Sequence, residues 1–387
     1  MTARRTILRA GAAGALALTV GTATGTPAAA ARRTARPRTG PDPVALQTAL
    51  DGIAAGAASG VLAEVRHSAR VWRGSSGAAE LGTTRPVRVD GRFRAGSITK
   101  SFVATVLLQL AGERRLALGD PIERWLPGVV SGGDRITLHH LLQHTSGIVD
   151  YTRTAQFRQL YGTVEGILAT RYRTWTPHEL LAFITGTPPL FEPGTSYRYS
   201  NTNYILLALV IERVTGNHYA TEVQRRILRP LGLAGTELPG IHPYIAGPHS
   251  HGYLPVQRDG TYQPVDITAF NPSAAGASGE LLTSAADLNR FYRALLTGRL
   301  LRPAQLAQMK TSWSTGARAD YGLGLQTRRL ATGTTVWGHG GEIFGYEAAS
   351  WSTEDGTRQL TVAVNPWGEG DLHALIDDLL AVAFRQP

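Results

Sequence analysis

The sequence predicts an α/β chain of the α+β type: one antiparallel sheet flanked by N- and C-terminal helices, with an inserted all-helical region over about residues 115–275. Three observations carry this expectation. Helix-spaced apolar residues near the start are followed by two strand-like runs. The middle of the chain keeps helical spacing, broken by Pro and Gly. The last hundred residues change to strand-like runs separated by turn signals and end in an amphipathic segment.

Taken in order, the first 31 residues have the layout of a secretory signal peptide. Arg4 and Arg5 are paired, residues 10–20 are mildly apolar, and Ala28–Ala31 offer small residues for cleavage. The paired Arg and weak apolar stretch suggest the twin-arginine type and a secreted, extracytoplasmic protein; the alternative is a disordered basic tail. Residues 32–43, rich in Arg and Pro, are expected to form a flexible linker, and residues 44–387 the folded body. Val44, Leu46, Leu50 and Ile53 predict a helix over 44–57. Residues 61–66 and 69–72 predict strands. A helix is expected over 97–115, with Phe102, Val103, Val106, Leu107 and Leu110 on its apolar stripe. Thr137 and Thr176 cap short helices, 201–214 is an apolar helix closed by Gly216, and 235–275 is loop-rich. Ser284 caps a helix through Leu296. Strands are expected over 321–329, 334–337, 346–352 and 359–365, and a closing helix over 371–384.

Composition removes several function classes. The formal charge is +10, but residues 1–41 hold seven Arg and no acid, leaving about +3 for the rest. The high isoelectric point therefore gives no reason to expect a nucleic-acid partner. No apolar run is long enough for a membrane span. Cysteine is absent, which excludes disulfides and thiol nucleophiles. His139, His140 and His144 include an i, i+4 pair, but the Glu of a zinc-peptidase helix is missing, so no metal and no cofactor are expected. A monomer is expected.

Three short constellations carry chemistry. Ser97 and Lys100 stand three apart at a helix start, on one face, roughly 5–6 Å apart at Cβ. A helix N-terminus favours a developing oxyanion, and a neighbouring amine with a lowered pKa can take a serine proton. The chain has only two lysines, Lys100 and Lys310, among 39 basic residues. Arg cannot give up its proton at working pH and Lys can. Tyr199-Ser200-Asn201 adds a phenol, which a nearby Lys could hold partly ionised, and an amide able to bond a substrate carbonyl and a lysine. Trp337-Gly338-His339-Gly340-Gly341 ends a strand on small residues that would let a substrate lie along its edge, with a cation-capable His. Each has a plain structural alternative: a capping Ser, a packed Tyr, a Gly-rich hairpin.

Together, in this order, the three resemble the serine β-lactamase-like family of class C β-lactamases and D-alanyl-D-alanine carboxypeptidases. Matching text includes residues 93–102, Leu142-Gln143-His144-Thr145-Ser146-Gly147, Tyr199–Tyr204 and Tyr321-Gly322-Leu323-Gly324-Leu325, and the resemblance covers about 45–385. It is closest in look to exported carboxypeptidases whose third motif begins with His. It implies a β-lactamase/transpeptidase-like fold and acyl transfer. Ser97 would attack, Lys100, Tyr199 and His339 would handle protons, and backbone N–H groups of Ser97 and Glu342 would hold the oxyanion. Asn201 would orient the acyl amide, beside Gly340 and Gly341. The implied substrates are a peptidoglycan stem peptide ending in D-Ala-D-Ala, or a β-lactam.

The chain also departs from those carboxypeptidases. Gln326 stands where an Arg would grip a terminal carboxylate, with Arg328 following. Gly340 and Glu342 replace two Thr. Glu342 would repel a carboxylate unless it points away or pairs with Arg328. A family esterase, amidase or β-lactamase needs no such grip and is the alternative. A non-catalytic cell-wall sensor would have no need of Ser97, Lys100 and Tyr199, all of which are present.

Overall fold

A computed structural model of the protein describes residue 40, residues 42–258 and residues 260–385. The expected signal peptide (1–31) and most of the expected linker (32–43) lie outside the described residues. The strands are β1 (Ala58–His67), β2 (Arg70–Gly77), β3 (Arg92–Arg94), β4 (Tyr253–Arg258), β5 (Thr261–Asp266), β6 (Leu282–Ser284), β7 (Asp320–Tyr321), β8 (Gln326–Arg329), β9 (Thr335–Ile343), β10 (Tyr346–Ser352) and β11 (Arg358–Pro366). Seven form one antiparallel sheet in the order β2-β1-β11-β10-β9-β8-β7, so the two ends of the folded body pair in its middle.

Each face of the sheet has its own core. On one, the helix Pro43–Gly56 packs beside the helix Leu372–Ala383. Leu46, Leu50 and Ile53 meet Leu379, Leu380 and Phe384 over Val61, Val65, Leu360 and Val362. The first helix starts where expected because Pro43 needs no N–H partner and the Asp42 carboxylate accepts from the N–H groups of Val44 and Ala45. On the other face lies the helix Thr99–Gly112, buried nearly all round. Phe102 stacks on Phe291 of the helix Ala285–Leu296 at 3.8 Å between ring centroids. The helix Asn201–Thr215, closed by Gly216 at φ +74°, packs against it from the inserted region.

Three expectations change. The loop-rich stretch 235–275 contains the β4–β5 hairpin, so the inserted region is not wholly helical. Most of β5 is exposed, so no buried alternation marked it in the sequence. The strand expected over 321–329 splits into β7 and β8, because Gly324, at φ +69°, turns the chain close over Thr99–Gly112. A Cβ there would lie 2.5 Å from Ala104 Cβ. The third sheet motif is longer than expected: the glycine run stays inside β9, and a Cβ on Gly338 would lie 1.8 Å from the Ser350 carbonyl. Among the described residues no helix is long and apolar enough to cross a membrane.

Candidate active site

Ser97 sits in a single 3₁₀ turn, Gly96–Ile98, that leads into the helix Thr99–Gly112. The turn lies against β9. Gly96 has φ +51°, and a Cβ there would lie 2.6 Å from the oxygen and 2.7 Å from the nitrogen of Glu342; a Cβ on Gly341 would lie 2.0 Å from the Ala95 carbonyl oxygen. Two glycines therefore permit the approach. Thr99 Oγ1 donates to Gly96 O at 2.7 Å and accepts from Leu281 N at 3.0 Å, pinning the turn.

The strand edge supplies the second half of an oxyanion pocket. β9 and β10 are joined by the two-residue turn Phe344-Gly345, with Ile343 opposite Tyr346. In such a hairpin the flanking pair is hydrogen-bonded and the next is not. The N–H and C=O of Glu342 thus point away from β10, towards Gly96 and Ser97. The same alternation turns the Gly340 N–H outward, where Gln326 Oε1 accepts it at 3.1 Å.

Lys100 is fully buried. Its Nζ lies 3.0 Å from Ser97 Oγ, 2.8 Å from Asn201 Oδ1 and 2.7 Å from Ser278 O. Burial lowers the amine to about 7, and the Asp150 charge opposes that shift. A neutral amine keeps two N–H donors for Asn201 and Ser278 and can turn its lone pair to the Ser97 hydroxyl. Asn201 links outward: its Nδ2 donates to Asp150 Oδ2 at 3.1 Å. Asp150, itself buried, thus orients the amide whose oxygen holds Lys100.

Tyr199 stands over this cluster, with Lys100 Nζ 4.8 Å from its ring centroid. Burial pushes its phenol well above 10, partly offset by a hydrogen bond with Ser97. This corrects the expectation of a partly ionised phenol: the group stays an O–H. His144 packs 4.2 Å from the Tyr199 ring. Its Nδ1 accepts from Ser200 N and Asn203 Nδ2, so Nε2 carries the proton, and burial holds the ring neutral. His339 is likewise no cation. Burial lowers it to about 3, its Nδ1–H donates to Gly340 O, and Nε2 accepts from Tyr321 Oη at 3.0 Å. Its expected roles as proton carrier or anion attractor give way to holding β9 and Tyr321 in place. A buried His beside a buried amine cannot afford a second positive charge.

The structure therefore gathers Ser97, Lys100, Tyr199 and Asn201 around one point, with Gly340, Gly341 and Glu342 along the facing strand. Arg328 is placed otherwise: it pairs with Asp377 at 2.9 Å, and Arg318 reaches the same carboxylate at 3.5 Å. The sequence reading did not single out Asp150, Ser278 or Tyr321, or His144 other than as a possible ligand. The only signal for Asp150 and His144 was their place in or beside Leu142–Gly147. Among the described residues no three His, Asp or Glu side chains gather as a metal site.

Ser97 opens onto two cavities. One, about 250 Å³, is walled by the aromatic rings of Tyr151, Phe157, Tyr161, Phe270 and Phe344, with Arg158 also in its lining. The other, about 470 Å³, is polar and includes Tyr197, Tyr199, Gln326, Arg328 and His339. Glu342 borders both.

Known proteins share this architecture. Residues 21–383 match the Beta-lactamase family. A D-stereospecific amidohydrolase from Streptomyces sp. superposes with a TM-score of 0.82 at 41% identity, covering 89% of this chain and 99% of that one. Esterase EstB of Burkholderia gladioli is 32% identical over 287 residues, 68% of this chain and 70% of the esterase. Penicillin-binding protein 4* of Bacillus subtilis is 27% identical over 293 residues, 71% of this chain. The chain spans 61% of that last relative's length. With its sheet, its helical layer and the match over most of its length, this chain belongs to the beta-lactamase family of serine hydrolases.

Proposed function

We propose that this protein hydrolyses small amides or esters through an acyl-Ser97 intermediate, taking an apolar D-aminoacyl group and a leaving group without a free carboxylate. Ser97 Oγ attacks the carbonyl as its proton passes to Lys100 Nζ. The N–H groups of Ser97 and Glu342 stabilise the oxyanion. The C–N or C–O bond then breaks, and the proton reaches the leaving atom through the Tyr199 hydroxyl. Water repeats the sequence in reverse and frees the acid. Tyr199 borders the polar cavity, so the leaving group departs there and the acyl group occupies the aromatic cavity.

The observation that carries the leaving-group preference is the charge around the polar cavity. Gln326 is committed to Gly340, His339 is neutral, both guanidiniums are tied to Asp377, and Glu342 is acidic. His373, also in the cavity's lining, faces Glu347 at 3.3 Å, so among the described residues that line this cavity no free cation is offered to a terminal carboxylate. The similarity to a D-stereospecific amidohydrolase and to an esterase supports the same reading. The D-Ala-D-Ala carboxypeptidase is the second reading, favoured by the similarity to a penicillin-binding protein. Export belongs to the proposal and is supported by the leader-like first 31 residues.

The test compares the purified protein on a D-phenylalanine amide, a short aryl ester and a D-Ala-D-Ala-terminated peptide. The amide and ester should be turned over at least about tenfold faster than the peptide, a gap of about 1.4 kcal/mol in barrier. Equal or better cleavage of the peptide would favour the carboxypeptidase.

Two variants probe the supports of the site. Asp150→Asn removes the charge that raises the Lys100 pKa and leaves the Asn201 amide unsteered. Its acidic limb in kcat/KM should move to lower pH, with kcat down by about tenfold. An unchanged profile would show that Asp150 is only structural. Gly341→Ala should cost about 10²-fold in kcat, since the methyl group would push the strand from Ser97 and widen the oxyanion pocket. Near-normal kcat would place the oxyanion elsewhere.

A further inference from the structure

On the far side of Phe344 from the aromatic acyl cavity lies a larger groove of about 710 Å³. Its walls include Tyr253, Tyr262, Phe344 and Trp367, and its rim carries Glu342 and Glu369. The two spaces are continuous in their lining, since Glu342 and Phe344 belong to both. Phe344 is braced as a partition: it stacks on Tyr161 at 5.9 Å and meets Phe270 edge-on at 5.4 Å between ring centroids.

The chemistry of the groove is one-sided. Tyr253 and Trp367 meet edge to face at 6.3 Å, and Tyr262, on the β4–β5 hairpin, is 54% exposed. Among the described residues no Lys, Arg or His side chain lines it, and neither Glu342 nor Glu369 enters an ion pair. Aromatic faces carry negative potential and attract cations, and two unpaired carboxylates add to that field. Glu347, the cross-strand neighbour of Glu342, has its carboxyl raised by burial, with His373 opposing that shift and the charge at Glu342 adding to it. A neutral apolar occupant would use the rings and leave the carboxylates unanswered.

We propose that this groove is a subsite for an ammonium-bearing, apolar extension of the substrate's acyl group, reached past Glu342 and Phe344 from Ser97. The inference rests on the acyl-side assignment made under Proposed function. It explains why β4–β5, an exposed hairpin that adds little to either core, stands beside the site: it supplies Tyr253 and Tyr262 to the groove.

The test uses aryl esters with one short acyl chain, ended in three ways: trimethylammonium, its neutral isostere tert-butyl, and carboxylate. A short acetyl-type ester is the reference. At low ionic strength kcat/KM should favour trimethylammonium over tert-butyl by about tenfold, with carboxylate last. Glu369→Gln and Trp367→Ala should each bring that ratio towards one and leave the reference ester unchanged, with circular dichroism confirming the fold. A ratio at or below one in the unaltered protein overturns the cationic subsite and identifies a plain apolar groove. A ratio that survives both substitutions also overturns it, because the cation is then read elsewhere. Either result leaves the acyl-serine reading intact if the reference ester still labels and turns over at Ser97. Loss of that turnover removes both.

Discussion

Ser97→Ala is expected to abolish covalent labelling by a penicillin or a fluorophosphonate and to lower ester hydrolysis by on the order of 10⁴–10⁶-fold. Among the described residues Ser97 provides the one hydroxyl hydrogen-bonded to Lys100 Nζ, at 3.0 Å; the amine's other two partners are an amide oxygen and a backbone carbonyl. The substitution removes one oxygen from a half-buried position and leaves those two bonds, so the fold should survive. Intact-protein mass spectrometry reads the outcome: an adduct that persists at an unchanged rate in the variant would remove Ser97 from the mechanism.

Lys100→Arg should cost roughly 10²–10⁴-fold in kcat/KM, because the charge is kept and the proton acceptor is lost. The same proton acceptor gives the reaction a pH dependence. Burial lowers the folded-state amine to about 7, so the neutral, proton-accepting form grows as pH rises through that value. Activity should therefore climb from about pH 6 to 8 and level off above. Arg is larger than the space Lys100 fills, so Lys100→Met serves as a control of similar length without charge. It relieves a buried charge but leaves the Asn201 and Ser278 oxygens without their donor, so circular dichroism checks the fold, and the folded variant should be equally inactive. Wild-type-like rates in a folded Lys100→Met protein would take Lys100 out of proton transfer.

How far these groups were legible depended on the distance over which each acts. Ser97 and Lys100 lie three residues apart at a helix start, so helical geometry alone puts them on one face. The choice of Lys in an Arg-rich chain added a chemical reason. The terminal helices and most sheet strands were legible for a similar cause: buried faces impose a period, as in Leu46, Leu50 and Ile53, or Leu360 and Val362. Where burial is absent the period is absent too. The exposed β4–β5 hairpin was therefore missed, along with the groove it borders.

Protonation was the least legible property. His339 was readable as a cation and Tyr199 as a phenolate, because both lie near groups that allow it in water. Packing reverses both, since a ring enclosed with Lys100, His144 and Tyr321 pays for any extra charge without solvent. Arg328 was readable as a partner for Glu342, on the next strand; Asp377, 49 residues further on, takes it instead. The residue types needed for acyl transfer, and the local spacing of the first pair, were thus written along the chain. The charges those residues carry, the amide chain from Asp150 to Lys100, and the two cavities at Ser97 arise only when segments far apart in sequence exclude water from one another.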